Sequence, residues 1–195
     1  SDDVPVWHLA RILGDIGDRS AVPSLIALTS SRSPDGIRAA SATALGRLGT
    51  VDGAEALTVL LSDENNLVSN SACKGLARMV ADAGPRSPQS EMIADGLLRR
   101  LSDADARARP LVIGLLGTTR SRSAIRLLLR SALNAREDVK IRIACLRSLG
   151  RIGDAGIAGD LIDLMASGDE AIRRAAAGAL VSLDMSDGEK EHVVG

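Results

Sequence analysis

Leu13-Gly14-Asp15-Ile16-Gly17, near the start of the chain, returns as Leu45-Gly46-Arg47-Leu48-Gly49 and again as Leu149-Gly150-Arg151-Ile152-Gly153. Degenerate copies are Leu76-Ala77-Arg78-Met79-Val80, Ile113-Gly114-Leu115-Leu116-Gly117 and Leu180-Val181-Ser182-Leu183-Asp184. Aligned on their second residue, the six copies fall at 14, 46, 77, 114, 150 and 181, so neighbours stand 31 to 37 residues apart. A steady period of about 20–50 residues marks a repeat architecture, in which each unit buries its apolar face against the next.

Working outward, each period reads as two helices. Val22 to Thr29 carries an apolar stripe at Val22, Leu25, Ile26 and Leu28. A turn follows at Ser30-Ser31-Arg32-Ser33, then Pro34 suits the first position of a second helix. Apolar residues at Ile37, Ala40, Ala44, Leu45 and Leu48 keep helical spacing to Gly49. Glycine tolerates the left-handed conformation that ends a helix. The period repeats over residues 125–153 and 157–183. The chain opens on a second helix with no partner before it and has no initiator Met, which reads as a piece of a longer array. One such helix plus five pairs predicts about eleven helices, no strands, a single array over 1–185 and a polar tail over 186–195.

Composition agrees. Hydrophobic residues make up 45% of the chain, yet there is one Trp, no Tyr and no Phe, so the core is predicted to be Leu, Ile, Val, Ala and Met. Ala and Leu favour helix, whereas sheets recruit β-branched and aromatic residues. No run of about 18 apolar residues is long enough to span a bilayer. Cys73 and Cys145 fall two repeats apart. Helices stacked at about 8–10 Å put them beyond disulfide reach. They are expected to be reduced and buried, in a cytoplasmic setting.

The segments IRAASATALGRLG, IRIACLRSLGRIGDAG and IRRAAAGALVSLD resemble HEAT repeats of the short, phycobilisome-lyase-like class, over about residues 4–184. The Ile-Arg start, Ala-rich middle and LGxxG end occur together. The resemblance implies an armadillo-like α-solenoid, a right-handed α-α superhelix with first helices on the convex side and second helices lining the concave side. Two departures stand out. Residues 82–90, rich in Gly, Pro and Ser, are predicted to protrude between the third and fourth repeats. Pro110 requires a helix that starts near Arg107 or kinks.

No motif supports catalysis. Gly150 to Gly156 lacks the spacing and the preceding strand of a phosphate loop. His8 and His192 stand at opposite ends, so no metal site is expected from them, and no cofactor is expected. The paired His-Glu motifs of HEAT-fold di-iron hydroxylases are absent, as are the stacking aromatics of HEAT-like DNA glycosylases. A bilin lyase or chaperone role rests on the analogy of fold alone. Asp103/Asp105 and Asp160/Asp163 lie near helix starts, where carboxylates favour the dipole. Arg38, Arg142 and Arg173, with Asp35, Asp138 and Asp169 before them, are expected to form a ladder joining adjacent repeats.

Charge is uneven. Residues 99–151 hold 13 basic and four acidic residues, a local +9, in a chain of net charge −1. Positions one after and three before the aligned residue are predicted to share the concave face: Arg11/Asp15, Thr43/Arg47, Lys74/Arg78, Leu111/Leu115, Arg147/Arg151 and Gly178/Ser182. A leucine pair between basic residues suits a protein partner. The expected function is a non-catalytic scaffold binding a protein or peptide in the groove, with Arg47, Lys74, Arg78, Arg147 and Arg151 supplying charge and Leu111 and Leu115 apolar anchors. The alternative is nucleic acid or another polyanion on Arg120, Arg122, Arg126, Arg130, Arg147 and Arg151. The edge residues Val4, Val6, Trp7 and Leu9 are expected to pack on another part of the parent protein, or to support self-association of the isolated piece.

Overall fold

Second helices end where a residue three places past the aligned position can turn left-handed. Gly17, Gly49 and Gly153 do so, with φ of 80°, 64° and 70°. A computed structural model of the chain describes residues 6–191, with side chains through residue 183. Its helices are α1 (Val6–Ile16), α2 (Val22–Leu28), α3 (Asp35–Leu48), α4 (Val51–Leu60), α5 (Asn66–Ala83), α6 (Pro88–Leu101), α7 (Ala108–Thr119), α8 (Ile125–Leu133), α9 (Val139–Ile152), α10 (Ala158–Leu164) and α11 (Glu170–Glu191). Single turns of 3-10 helix lead into α2, α8 and α10. Among the described residues there is no strand. The array is therefore α1 followed by five pairs. Val80 and Asp184 stand where three other copies have a left-handed glycine, and there α5 continues to Ala83 and α11 to Glu191, past position 185.

The odd-numbered helices form one layer, each packed along the next from α1 to α11. The even-numbered helices lie outside, each against its own partner, and approach one another less closely. Small residues set the tight layer. A Cβ on Gly14 would lie 2.8 Å from that of Ala44, one on Gly46 would overlap Gly75, and one on Gly150 would lie 2.9 Å from the Ala179 Cα. A stack bends towards its closer-packed layer, so the second helices line the concave side. Between the layers runs one core that includes Leu25, Leu45, Leu57, Leu76, Leu97, Leu116, Leu146 and Leu149, all fully buried. Each such side chain contributes about 1.5–3 kcal/mol on burial.

The fourth repeat corrects the alignment. Its interface glycine is Gly117, whose Cβ would meet the Ser148 Cα at 2.9 Å; a Cβ on Gly114 would meet nothing within 4 Å. Arg120 then takes the left-handed C-cap position, with φ of 54°. The fourth copy of the unit is thus Leu116-Gly117-Thr118-Thr119-Arg120, three residues later than the sequence pattern suggested. The shift carries Leu115 into the core at 2% exposure and leaves Leu111 half-buried against it. Pro110 sits in the first turn of α7, where its missing N–H would have no intrahelical acceptor.

Two further expectations are revised. Residues 84–87 fold back along the rim instead of protruding. Arg86, itself left-handed at φ 60°, donates its backbone N–H to the Thr119 carbonyl (3.0 Å) and its guanidinium to the carbonyls of Arg120 (3.2 Å) and Ile152 (2.9 Å). Gln89 donates to the Gly49 carbonyl at 3.0 Å. These bonds satisfy carbonyls at the ends of α3, α7 and α9 that have no intrahelical donor. Of the three Asp–Arg rungs expected at Arg38, Arg142 and Arg173, only that of the second repeat forms. Arg38 pairs with Asp35 at 2.9 Å and grips Asp63 of the next repeat through Nε and Nη2 (3.0 and 2.8 Å). Desolvation pushes the Asp63 carboxyl up, but Arg38, the Asn65 N–H and Arg107 together hold it below its usual value. Arg142 and Arg173 instead donate to carbonyls within their own repeats, at Ala132 and at Ser167 and Gly168. Asp138 and Asp169 accept backbone N–H groups at the starts of α9 and α11.

Candidate functional site

Second-helix residues pointing away from the core form the floor of the concave groove. Arg11, Asp15, Thr43, Lys74, Arg78, Arg147, Arg151, Gly178 and Ser182 are exposed there, and Arg47 is half-buried. Leu115 belongs to the core and presents nothing to a partner. With the register shifted by three, Gly114 and Thr118 occupy the place assigned to Leu111 and Leu115, and both are partly exposed. The centre of the groove is therefore small and uncharged rather than apolar. Sequence alone contained one signal for this: Leu116-Gly117 is as good a match to the repeat as Ile113-Gly114.

The groove cations differ in how they are neutralised. Arg47 pairs with Asp15 of the preceding repeat. Arg78 pairs with Asp82 one turn on, at 3.4 Å. Arg11, Lys74, Arg147 and Arg151 form no ion pair among the described residues. Arg147 and Arg151 flank an open cleft of about 430 Å³ between α9 and α11. Its other lining residues among those described are Ile143, Ala171, Arg174, Ala175, Gly178, Ala179 and Ser182, none of them acidic. Arg174 is held by Glu170 at 2.5 Å.

Much of the local +9 is spent on structure. Arg109 makes two bonds to Glu137 (2.7 and 3.3 Å), Arg107 donates to the Glu64 carbonyl (2.8 Å), and Arg142 is buried. Arg122 pairs with Asp154 at 3.0 Å. Arg126 and Arg130 lie exposed on α8, in the outer layer, while Arg147 and Arg151 lie on α9 in the inner layer. Arg120 caps α7 at the rim. The six arginines of the polyanion alternative are thus spread over both layers and an edge.

No group of three or more His, Cys, Asp and Glu side chains converges on a metal-sized space among the described residues. Asp105 accepts the N–H groups of Arg107 (2.9 Å) and Ala108 (2.7 Å) at the start of α7, and its carboxyl is held below the usual value mainly by the Ala108 bond. Gly153 ends α9, and the Gly156 N–H is held by Asp154. His8 stands edge-on to Trp7 with ring centroids 5.3 Å apart; His192 lies outside the described residues. Cys145 is buried and its thiol is pushed up to about 12 by desolvation; Cys73 is half-buried and raised for the same reason. No described helix is long and apolar enough to cross a membrane.

A family model for HEAT repeats matches residues 2–77 and 128–191. The chain belongs to the HEAT-repeat family. Such repeats serve in general as protein-interaction scaffolds. The unmatched stretch holds the extended end of α5, the strap at 84–87 and the shifted fourth copy. No curated protein matches the chain. Among solved structures, an engineered protein is similar at 21% identity over 92% of this chain and 90% of its own, with a TM-score of 0.52. A designed armadillo repeat protein is similar at 16% identity over 91% and 92%, also at 0.52. These identities support the solenoid fold alone. The CpcE–CpcF complex of the phycocyanin lyase from Nostoc sp. PCC7120 matches at 20% identity over 94% and 91%, with a TM-score of 0.37 that carries no functional argument.

Proposed function

We propose that this HEAT array is a non-catalytic scaffold that binds a protein or peptide along its concave groove. The observation that supports it best is the run of exposed second-helix side chains that includes Arg147 and Arg151, which form no ion pair among the described residues. Arg47, Lys74 and Arg78 extend the contact towards the N-terminal end. Gly114 and Thr118 replace the leucine anchors as the central floor, so shape and charge, more than apolar burial, select the partner. Exposed charges at such a surface act mainly on association rate and specificity. A polyanion partner is disfavoured because its six arginines do not share a face, and single-strand binders add stacking aromatics that this groove lacks.

A second contact is self-association through the outer side of α1. Val6, Leu9, Ile12 and Ile16 share the face of α1 turned away from Ala10 and Gly14 and are 36% to 69% exposed, and Trp7 is exposed about 100° round the helix from Val6; Val4 lies outside the described residues. The groove reading is tested by affinity capture with the wild type, Arg147→Glu/Arg151→Glu and Arg126→Glu/Arg130→Glu. The groove pair should abolish capture of the same protein that the α8 pair retains. Capture that survives the groove reversal and fails with the α8 reversal rejects it.

A further inference from the structure

We infer that the cleft between α9 and α11 takes an acidic peptide segment, with side-chain carboxylates seated on Arg147 and Arg151. The inference rests on the groove reading and names its partner class. Two groove arginines earlier in the array have their carboxylate supplied by the chain: Asp15 for Arg47 and Asp82 for Arg78, whereas Arg11 and Lys74 form no ion pair among the described residues. Arg147 and Arg151 have none among the described residues, although both are exposed and one helical turn apart. On the facing wall Arg174 already holds Glu170. Among the described residues the cleft lining holds no acid, and of its three arginines only Arg174 is paired, so its field favours an anion.

The floor explains why the anion is part of a peptide. Ala171, Ala175, Gly178 and Ala179 carry little or no side chain, and a Cβ on Gly178 would meet nothing within 4 Å. That leaves room for a backbone to lie against α11. Ile143 adds an apolar contact at one end. Arginine's planar fork matches a carboxylate through two parallel bonds. Two arginines one turn apart, about 5–6 Å along the helix, match carboxylates about one helical turn apart on a partner. A phosphodiester strand would need its basic track to continue, and the next groove positions towards the N-terminus are Gly114 and Thr118.

The probe is a fluorescein-labelled peptide with glutamates every fourth residue. Its comparators are the same peptide with glutamines and a short random-sequence DNA duplex, read by anisotropy in low salt. Three variants are measured beside the wild type. Arg147→Glu/Arg151→Glu reverses the clamp. Gly178→Leu fills the cleft and keeps its charge. Arg126→Glu/Arg130→Glu changes charge by the same amount on the outer layer. Circular dichroism confirms that each is folded. The glutamate peptide should bind at least about tenfold more tightly than the glutamine peptide, a difference of about 1.4 kcal/mol. Both groove variants should lose at least about that factor, and the α8 variant should keep wild-type affinity. Equal binding of the two peptides, equal loss in the α8 variant, indifference to Gly178→Leu, or preference for the duplex overturns the inference. If the captured partner needs Arg147 and Arg151 but the glutamate peptide neither binds nor competes, the inference falls and the groove reading stands. If capture survives every groove variant, both fall.

Discussion

At the residue scale, burial decides which groups are chemically available. Cys145 sits in the core beneath α9, and desolvation favours its neutral thiol up to about 12. Only the thiolate attacks a disulfide reagent. Cys145 should therefore resist labelling at pH 8 until denaturant is added, while half-buried Cys73 reacts first and slowly. Rapid native modification of Cys145 would contradict its placement. The sign of the linked stability effect follows. A thiol raised in the fold contributes nothing to pH dependence below its unfolded value near 9. Above that value the unfolded chain ionises and the folded one does not, so stability falls as pH rises from there through about 12. Replacing Cys145 by Ala should flatten that alkaline limb in urea titrations taken across pH 8–10. An equally steep limb in the variant would assign it to other groups. The sequence placed both cysteines on helices, but not their unequal burial. That depends on which flank of each helix meets its neighbour.

At the scale of an element, α7 tests the shifted register. Gly117 lies against Ser148 of α9, and an added methyl there must displace backbone. Overpacking of this kind costs about 1–3 kcal/mol. Gly114 faces open space, and alanine exceeds glycine in helix propensity by about 0.8–1 kcal/mol. Gly117→Ala should lower the midpoint of urea unfolding, and Gly114→Ala should raise it or leave it unchanged. The opposite order would restore the alignment on Gly114 and return Leu111 and Leu115 to the groove. The two alignments differ by three residues of a 3.6-residue period, a rotation of only about 60°. Local apolar spacing therefore separates them poorly. The strap at 84–87 was misjudged for a related reason: its composition reads as a turn, but the acceptors for Arg86 come from helix ends 33 to 66 residues further on.

For the whole molecule, the pattern of exposed apolar residues carries the prediction. Val51, Val59, Leu67 and Val181 are exposed singly along the array, and Ile162 with only Met165 beside it. Scattered apolar residues are normal on a protein surface. On α1, packed chiefly on α3, Val6, Leu9, Ile12 and Ile16 are exposed along one face. Sedimentation equilibrium should show weak, concentration-dependent association of the wild type, since a patch this small falls below the roughly 800 Å² per partner of a stable complex. Leu9→Lys/Ile12→Lys should be monomeric at the same concentrations and remain as helical. A monomeric wild type at high concentration would reject the contact.

What the sequence determined by itself is the repeat, its two-helix content and most of its helix ends. These follow from local physics: apolar spacing, capping side chains and a glycine able to turn left-handed. It also placed Arg47, Lys74, Arg78, Arg147 and Arg151 on the outward side of their helices, because three close copies of LGxxG set a common register. Only the tertiary structure decided which glycine of α7 is the interface glycine, that Leu115 is core, and which groove cations already have a counter-ion. Each of these depends on atoms brought together from different helices. In the fourth repeat the local pattern fits two registers, and the close approach of Gly117 to Ser148 selects between them.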